Sequence, residues 1–95
     1  MRVVYSPHLK DRIKIRNFNE NDPRVIFYRA DKKYFDTLQN SNISIKNLIY
    51  NGAKQQLMKA FIYDKISNSV IIKTIHVESN QEIINRLKID RYIKR

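Results

Sequence analysis

The spacing of apolar and polar positions changes period twice along the chain, and each change marks a new class of element. Arg2 to Tyr5 reads as a short strand. Ser6-Pro7 follows, an N-cap residue and then a proline at the first helical position, where its missing N–H is not needed. A strongly polar helix is expected from about Pro7 to Arg16. Asp22-Pro23 repeats the signal and opens a second short helix through Arg24, Val25, Ile26, Phe27 and Tyr28, fading near Ala30-Asp31. From Lys32 the period shortens to that of strands. Tyr34 to Leu38 is aromatic and branched, and Gln39 to Asn42 is turn-like. Ile43, Ile45, Asn47 and Ile49 then alternate with Ser44, Lys46, Leu48 and Tyr50, one dry face against one wet face. Asn51-Gly52 predicts a tight hairpin, because a type I′ turn needs positive φ at both central residues. The next strand is expected over about Gln55 to Tyr63, a loop over Asp64 to Asn68, and a last strand over Val70 to Val77. Ser79 followed by Glu82 fits a capping box, which starts a helix with Ile83, Ile84 and Leu87 on one face.

This pattern predicts an α+β domain of order β-α-α-β-β-β-β-α. Short turns between consecutive strands imply a small antiparallel sheet of four to five strands, packed against the two N-terminal helices and followed by a C-terminal helix. With 95 residues there is room for one domain, spanning 1–95, and one thin core. Cysteine is absent, which removes disulfides and thiolate metal sites. No apolar run reads as a signal peptide or a membrane span, so a cytoplasmic protein is expected.

Charge narrows the picture further. Nineteen Lys and Arg oppose nine Asp and Glu, a net charge of +10. An AT-rich coding sequence inflates lysine, but it does not account for the arginines or for their placement. Arg2, Lys10, Arg12, Lys14 and Arg16 stand against Asp11 alone at one end, and Arg86, Lys88, Arg91, Lys94 and Arg95 against Asp90 at the other. Two clusters of this kind draw phosphate backbones, so a polyanionic partner, RNA foremost, is expected.

Candidate chemistry gathers at the same two ends. His8, Arg12 and Arg16 recur every four residues and stack along one side of a helix, with Lys10 and Lys14 on another. Such a ridge suits phosphates and places an imidazole beside them, although a solvated helix face explains the same pattern. His76 closes the last strand on the face expected for Val70, Ile72 and Thr74. It reads either as a structural histidine or as a proton-transfer group at a strand end. Lys46, beside Tyr50, is either solvent-facing or a cation lining a groove across the sheet. Near the C-terminus Arg86 and Arg91-Tyr92 alternate cations with a flat ring that can stack on a base. Two histidines without a close carboxylate make a poor metal site, no glycine loop cradles a nucleotide, and no serine or cysteine nucleophile motif occurs; no cofactor is expected.

Tyr5-Ser6-Pro7-His8 followed by Arg12 and Arg16, a β-rich centre, Thr74-Ile75-His76, and then Asn85-Arg86 with Arg91-Tyr92 resembles the small RelE/ParE-like toxins of toxin–antitoxin systems. More narrowly it resembles a branch near the BrnT-type toxins. The likeness covers most of the chain through short, degenerate motifs. It implies a twisted antiparallel sheet with helices packed near the first strand. It also implies metal-independent cleavage of mRNA, in which the 2′-hydroxyl attacks the adjacent phosphate, and a cognate antitoxin as partner. By position, the resemblance makes His8 and His76 the acid and base and Arg12, Arg16, Arg86 and Arg91 the phosphate clamps. Tyr92 becomes the stacking ring, with Lys46 assisting in the groove; Lys10, from the helix pattern itself, is placed on the RNA-binding surface. Asp90 departs from the glycine common before the terminal Arg-aromatic pair, and Ile93-Lys94-Arg95 extends the tail. Some members of this superfamily cleave no RNA and poison a topoisomerase, so a non-catalytic basic binder is the alternative expectation. A third is an accessory protein with this fold and no toxicity.

Overall fold

The structure is a computed structural model that describes residues 2–95. Its elements are β1 (Arg2–Tyr5), α1 (Pro7–Arg16), α2 (Asp22–Arg29), β2 (Lys32–Asp36), β3 (Ser41–Tyr50), β4 (Ala53–Asp64), β5 (Ser69–Val77), α3 (Asn80–Lys88) and β6 (Tyr92–Lys94). The α+β class and the order of the first eight elements agree with the sequence pattern. The sheet does not: it has six strands in the order β1-β5-β4-β3-β2-β6, and it is mixed. β1 lies parallel to β5, with Tyr5 opposite Ile72, whereas every other neighbouring pair is antiparallel.

Local chemistry accounts for most boundaries. Ser6 Oγ accepts from the Leu9 amide at 3.1 Å and Pro7 occupies the first helical position, as the sequence predicts. Asn17 ends α1 with φ 55, the left-handed conformation that asparagine tolerates. α2 has no side-chain cap: Asn21 precedes it, and Asp22 lies inside the helix rather than capping it. Asn51 and Gly52 both have positive φ, 52 and 75, which closes the β3–β4 hairpin. Ser79 and Glu82 form the reciprocal capping box at the start of α3.

The sixth strand depends on Asp90. α3 stops at Lys88, and Asp90 takes φ 57 while Arg91 N–H donates back to the Arg86 carbonyl at 2.9 Å. That reversal turns the tail along β2, where Asp36 pairs with Tyr92 and Tyr34 with Lys94. The acid thus fills a left-handed position, the conformation glycine adopts most readily.

The two faces of the sheet are both apolar and are covered from opposite sides. Leu9, Ile13, Phe18 and Ile26 of the N-terminal segment pack on Leu57, Phe61, Val70, Ile72 and Ile75. Ile83 of α3, with Leu87 beside it, packs on Tyr34, Ile43, Ile45, Met58, Ala60 and Tyr92. A bulge in β5 decides which residues share a face. Ala60 pairs with Thr74 but Phe61 pairs with Ile72, so Lys73 is an extra residue on β5. Val70 and Ile72 therefore face α1 and α2, while Thr74 and His76 face the α3 side. The expected grouping of His76 with Val70 and Ile72 is corrected by this single inserted residue.

Candidate nucleic-acid interface

β1 runs beside β5 only as far as Ile72, where the Ser6 amide donates to the Ile72 carbonyl at 3.1 Å. The chain then turns into α1, and Ser6 Oγ donates to the Lys73 carbonyl at 3.1 Å. This anchors the start of α1 at the bulge and sets the helix against the second half of β5. Two hollows adjoin it and share His8. One, of about 370 Å³, is lined by His8, Gln39, Ser41, Ala60, Lys73 and Thr74. The other, of about 310 Å³, lies over His8, Asp11, Arg12, Ile15 and Arg16.

His76 is two residues beyond Thr74 on the same face, half-buried. Burial depresses its pKa first, and the positive charges of Arg12, Arg86 and Arg16 depress it further, with Glu82 opposing. The imidazole is accordingly neutral at neutral pH. Cations from both ends of the polypeptide act on this one ring. The structure thus sets His8, Arg12 and Arg16 along one hollow, and brings Arg12, Arg16 and Arg86 near enough for their charges to act on His76.

The cations of the two ends differ in what occupies them. Among the described residues, Arg12 and Arg16 enter no ion pair. Arg86 contacts the wholly buried Glu78 at 2.8 Å and the Tyr92 hydroxyl at 3.2 Å. Arg91 clasps Asp36 with Nε and Nη2, at 2.9 Å for the closest pair. Tyr92 is 2 % exposed, stacks on Tyr34 at 5.3 Å between ring centroids, and donates to Glu78 at 3.1 Å. Its ring, expected to meet a base, is part of the core. Lys46 lies on the opposite face of the sheet from His76, paired with Asp31 at 3.4 Å, and lines neither hollow beside α1. Lys10 lines a different cavity with Tyr5, Glu20 and Arg24.

The site also contains residues that the sequence pattern did not single out. Lys73 reaches the α3 side because it is the bulged residue, and its Nζ donates to Ser41 Oγ at 3.1 Å. No sequence signal marks a bulge among Val70, Ile71 and Ile72. Glu78 lies with one oxygen 3.9 Å from His76 Nε2. Its spacing of two from His76 at a strand end was a usable signal. Burial raises the Glu78 pKa, and Tyr92 and Arg86 pull it back. Among the described residues no three His, Asp or Glu side chains converge as metal ligands would, and no helix is long and apolar enough to cross a membrane. Comparisons with protein-family models, curated proteins and solved structures gave no match.

Proposed function

We propose that the chain binds RNA along α1 and cleaves it without a metal, as a RelE/ParE-like toxin restrained by a cognate antitoxin. The observation that carries this reading is the half-buried imidazole of His76, on which the charges of arginines from both termini act to lower its pKa. A neutral imidazole can take the proton of a 2′-hydroxyl as its oxygen attacks phosphorus. Arg12, Arg16 and Lys73 offset the negative charge that grows on the non-bridging oxygens. His8 returns a proton to the departing 5′-oxygen, leaving a 2′,3′-cyclic phosphate and a free 5′-hydroxyl. The exposed α1 cations Lys10, Lys14 and Arg16, with Arg12 half-buried beside them, give an acidic antitoxin segment a surface to cover.

Incubation of the purified protein with RNA, with and without ribosomes, tests the reading. Cyclic-phosphate ends made by the wild type and lost in the His8→Ala/His76→Ala double variant are the expected result. Intact RNA under both conditions removes the catalytic part. The commitment of Arg86 and Arg91 to internal carboxylates favours, as second reading, a binder that grips its target through α1 alone. In that case Arg12→Ala abolishes toxicity to cells while both histidine variants remain toxic.

A further inference from the structure

On the face covered by α1 and α2, away from His76, Lys59 is wholly buried and its Nζ has no hydrogen-bond partner among the described residues. The nitrogen lies 3.9 Å from the centroid of Phe27 and 3.6 Å from that of Phe61. Both rings also line a cavity of about 490 Å³, together with Lys33, Ser44, Tyr63 and Arg95. Pairing places Lys33, Ser44, Lys59 and Ile75 in one row across the sheet, so the amine lies just under the cavity floor. The charged groups lining the cavity are Lys33 and Arg95; α2, β3 and β5 bring Phe27, Ser44 and Ile75 against the lysine, and no carboxylate lines the cavity. Buried lysines ordinarily have an acidic partner, and this one lies under an open, aromatic, positively charged hollow instead.

We infer that this hollow binds a planar ring bearing a phosphomonoester, with the ring against Phe27, Phe61 and Tyr63 and the phosphate between Lys33, Arg95 and the Lys59 amine. The cavity is within the range of small-ligand sites, and two rim cations with a third from the floor match a phosphate dianion. The four-carbon stem lets Nζ swing from between the rings to meet the anion. Burial and the neighbouring Lys33 push the unoccupied amine down to about 6, so at pH 8 it starts neutral. An arriving dianion supplies the missing counter-charge, and the complex takes up a proton from solvent. The same chemistry is carried by a free nucleoside monophosphate and by the phosphorylated end of an RNA strand.

Titration calorimetry at pH 8, in two buffers of different ionisation enthalpy, tests the inference. The probes are adenosine 5′-monophosphate, adenosine, inorganic phosphate, and a 5′-phosphorylated, 2′-O-methylated pentamer that cannot cleave itself. The monophosphate is expected to bind at least about tenfold more tightly than adenosine or phosphate, with net uptake of about one proton. Lys59→Met is expected to lower affinity about tenfold or more and to abolish the proton uptake, and Lys33→Met, at the exposed rim, to weaken binding with the uptake retained. A pentamer bound tighter than the monophosphate, with the excess lost in Lys59→Met, assigns the site to RNA ends; equal affinities assign it to free nucleotide. Absence of monophosphate binding, equal binding of inorganic phosphate, or Lys59→Met with unchanged affinity and proton uptake would overturn the inference.

Discussion

Glu78, on the α3 side of the sheet, and Lys59, on the side of α1 and α2, are both wholly buried. Glu78 meets Arg86 at 2.8 Å and the Tyr92 hydroxyl at 3.1 Å, with only Oε1 left without a partner. Lys59 meets two phenylalanine rings and, among the described residues, no acceptor. Burial penalises charge in both, yet the acid keeps an ion pair while the base is pushed down to about 6. The lesson is that one small core handles buried ionisation in two ways. Where a counter-charge is built in, the pair becomes a structural tie between α3 and β6. Where none is, the group sheds its proton and remains responsive to whatever comes near.

The comparison breaks most sharply if Arg86 is removed. Arg86→Ala strands Glu78 in the interior, and a loss of about 3–5 kcal/mol in unfolding free energy is expected from urea denaturation at pH 7.5. Without its cation the carboxyl rises further above its unfolded value of 4.5. The folded state then binds the extra proton, so the deficit shrinks as pH falls toward 5. A deficit that stays the same at pH 5 and pH 7.5 would show that Arg86 acts through packing and not through Glu78.

Lys59→Met should act in the opposite direction, with a gain on the order of 2–4 kcal/mol at pH 7 from the same measurement. Between pH 6 and 10.5 the unfolded lysine holds a proton that the folded one has shed. Wild-type stability therefore climbs with pH across that window, and the gap to the methionine variant narrows. A gap independent of pH would mean that Lys59 is charged in the fold.

Asp36 sharpens the contrast from the side of a fully partnered acid. Burial raises its pKa, but the hydrogen bonds from Arg91 and from the Gln39 and Leu38 amides outweigh that and hold it below 3.8. Asp36→Asn is expected to cost about 1.5–3 kcal/mol at pH 7. The wild-type advantage is present above the unfolded pKa and disappears as pH falls through the lowered folded one, so thermal melts of the two proteins should converge near the acid limit.

Elements with a local chemical signature were legible in the sequence: the Ser6-Pro7 and Ser79-Glu82 helix starts, the Asn51-Gly52 hairpin and the period-two strands between them. Features that depend on long-range pairing were not. β1 is parallel to β5 across most of the chain length, and β6 exists only because Asp90 adopts φ 57 and Tyr92 finds Asp36 opposite it. The spacing of His8, Arg12 and Arg16 correctly put them on one helix side, but the fate of Arg86, Arg91 and Tyr92 turned on partners 6 to 55 residues away. Lys46 lies on the face that α1 and α2 cover, paired with Asp31, whereas His76 lies on the other; strand alternation says which residues share a face, not which face will carry the histidine. The bulge at Lys73 added one residue and thereby moved His76 to the side where α1 and α3 bring their arginines.

Arg12→Gln is expected to have the smallest effect on stability, within about 0.5 kcal/mol, because among the described residues the side chain enters no ion pair. Its effect on His76 should nonetheless be visible. After burial, Arg12 is the largest cause of the depressed imidazole pKa, ahead of Arg86 and Arg16. Removing its charge should raise the His76 midpoint toward the unfolded 6.5 in an NMR pH titration. The folded imidazole resists a proton that the unfolded one accepts, so wild-type stability should fall as pH drops below about 6.5, and fall less in Arg12→Gln. An unmoved His76 midpoint would separate the two ends of the chain electrostatically, and with them the proposed proton acceptor from the proposed phosphate-binding helix.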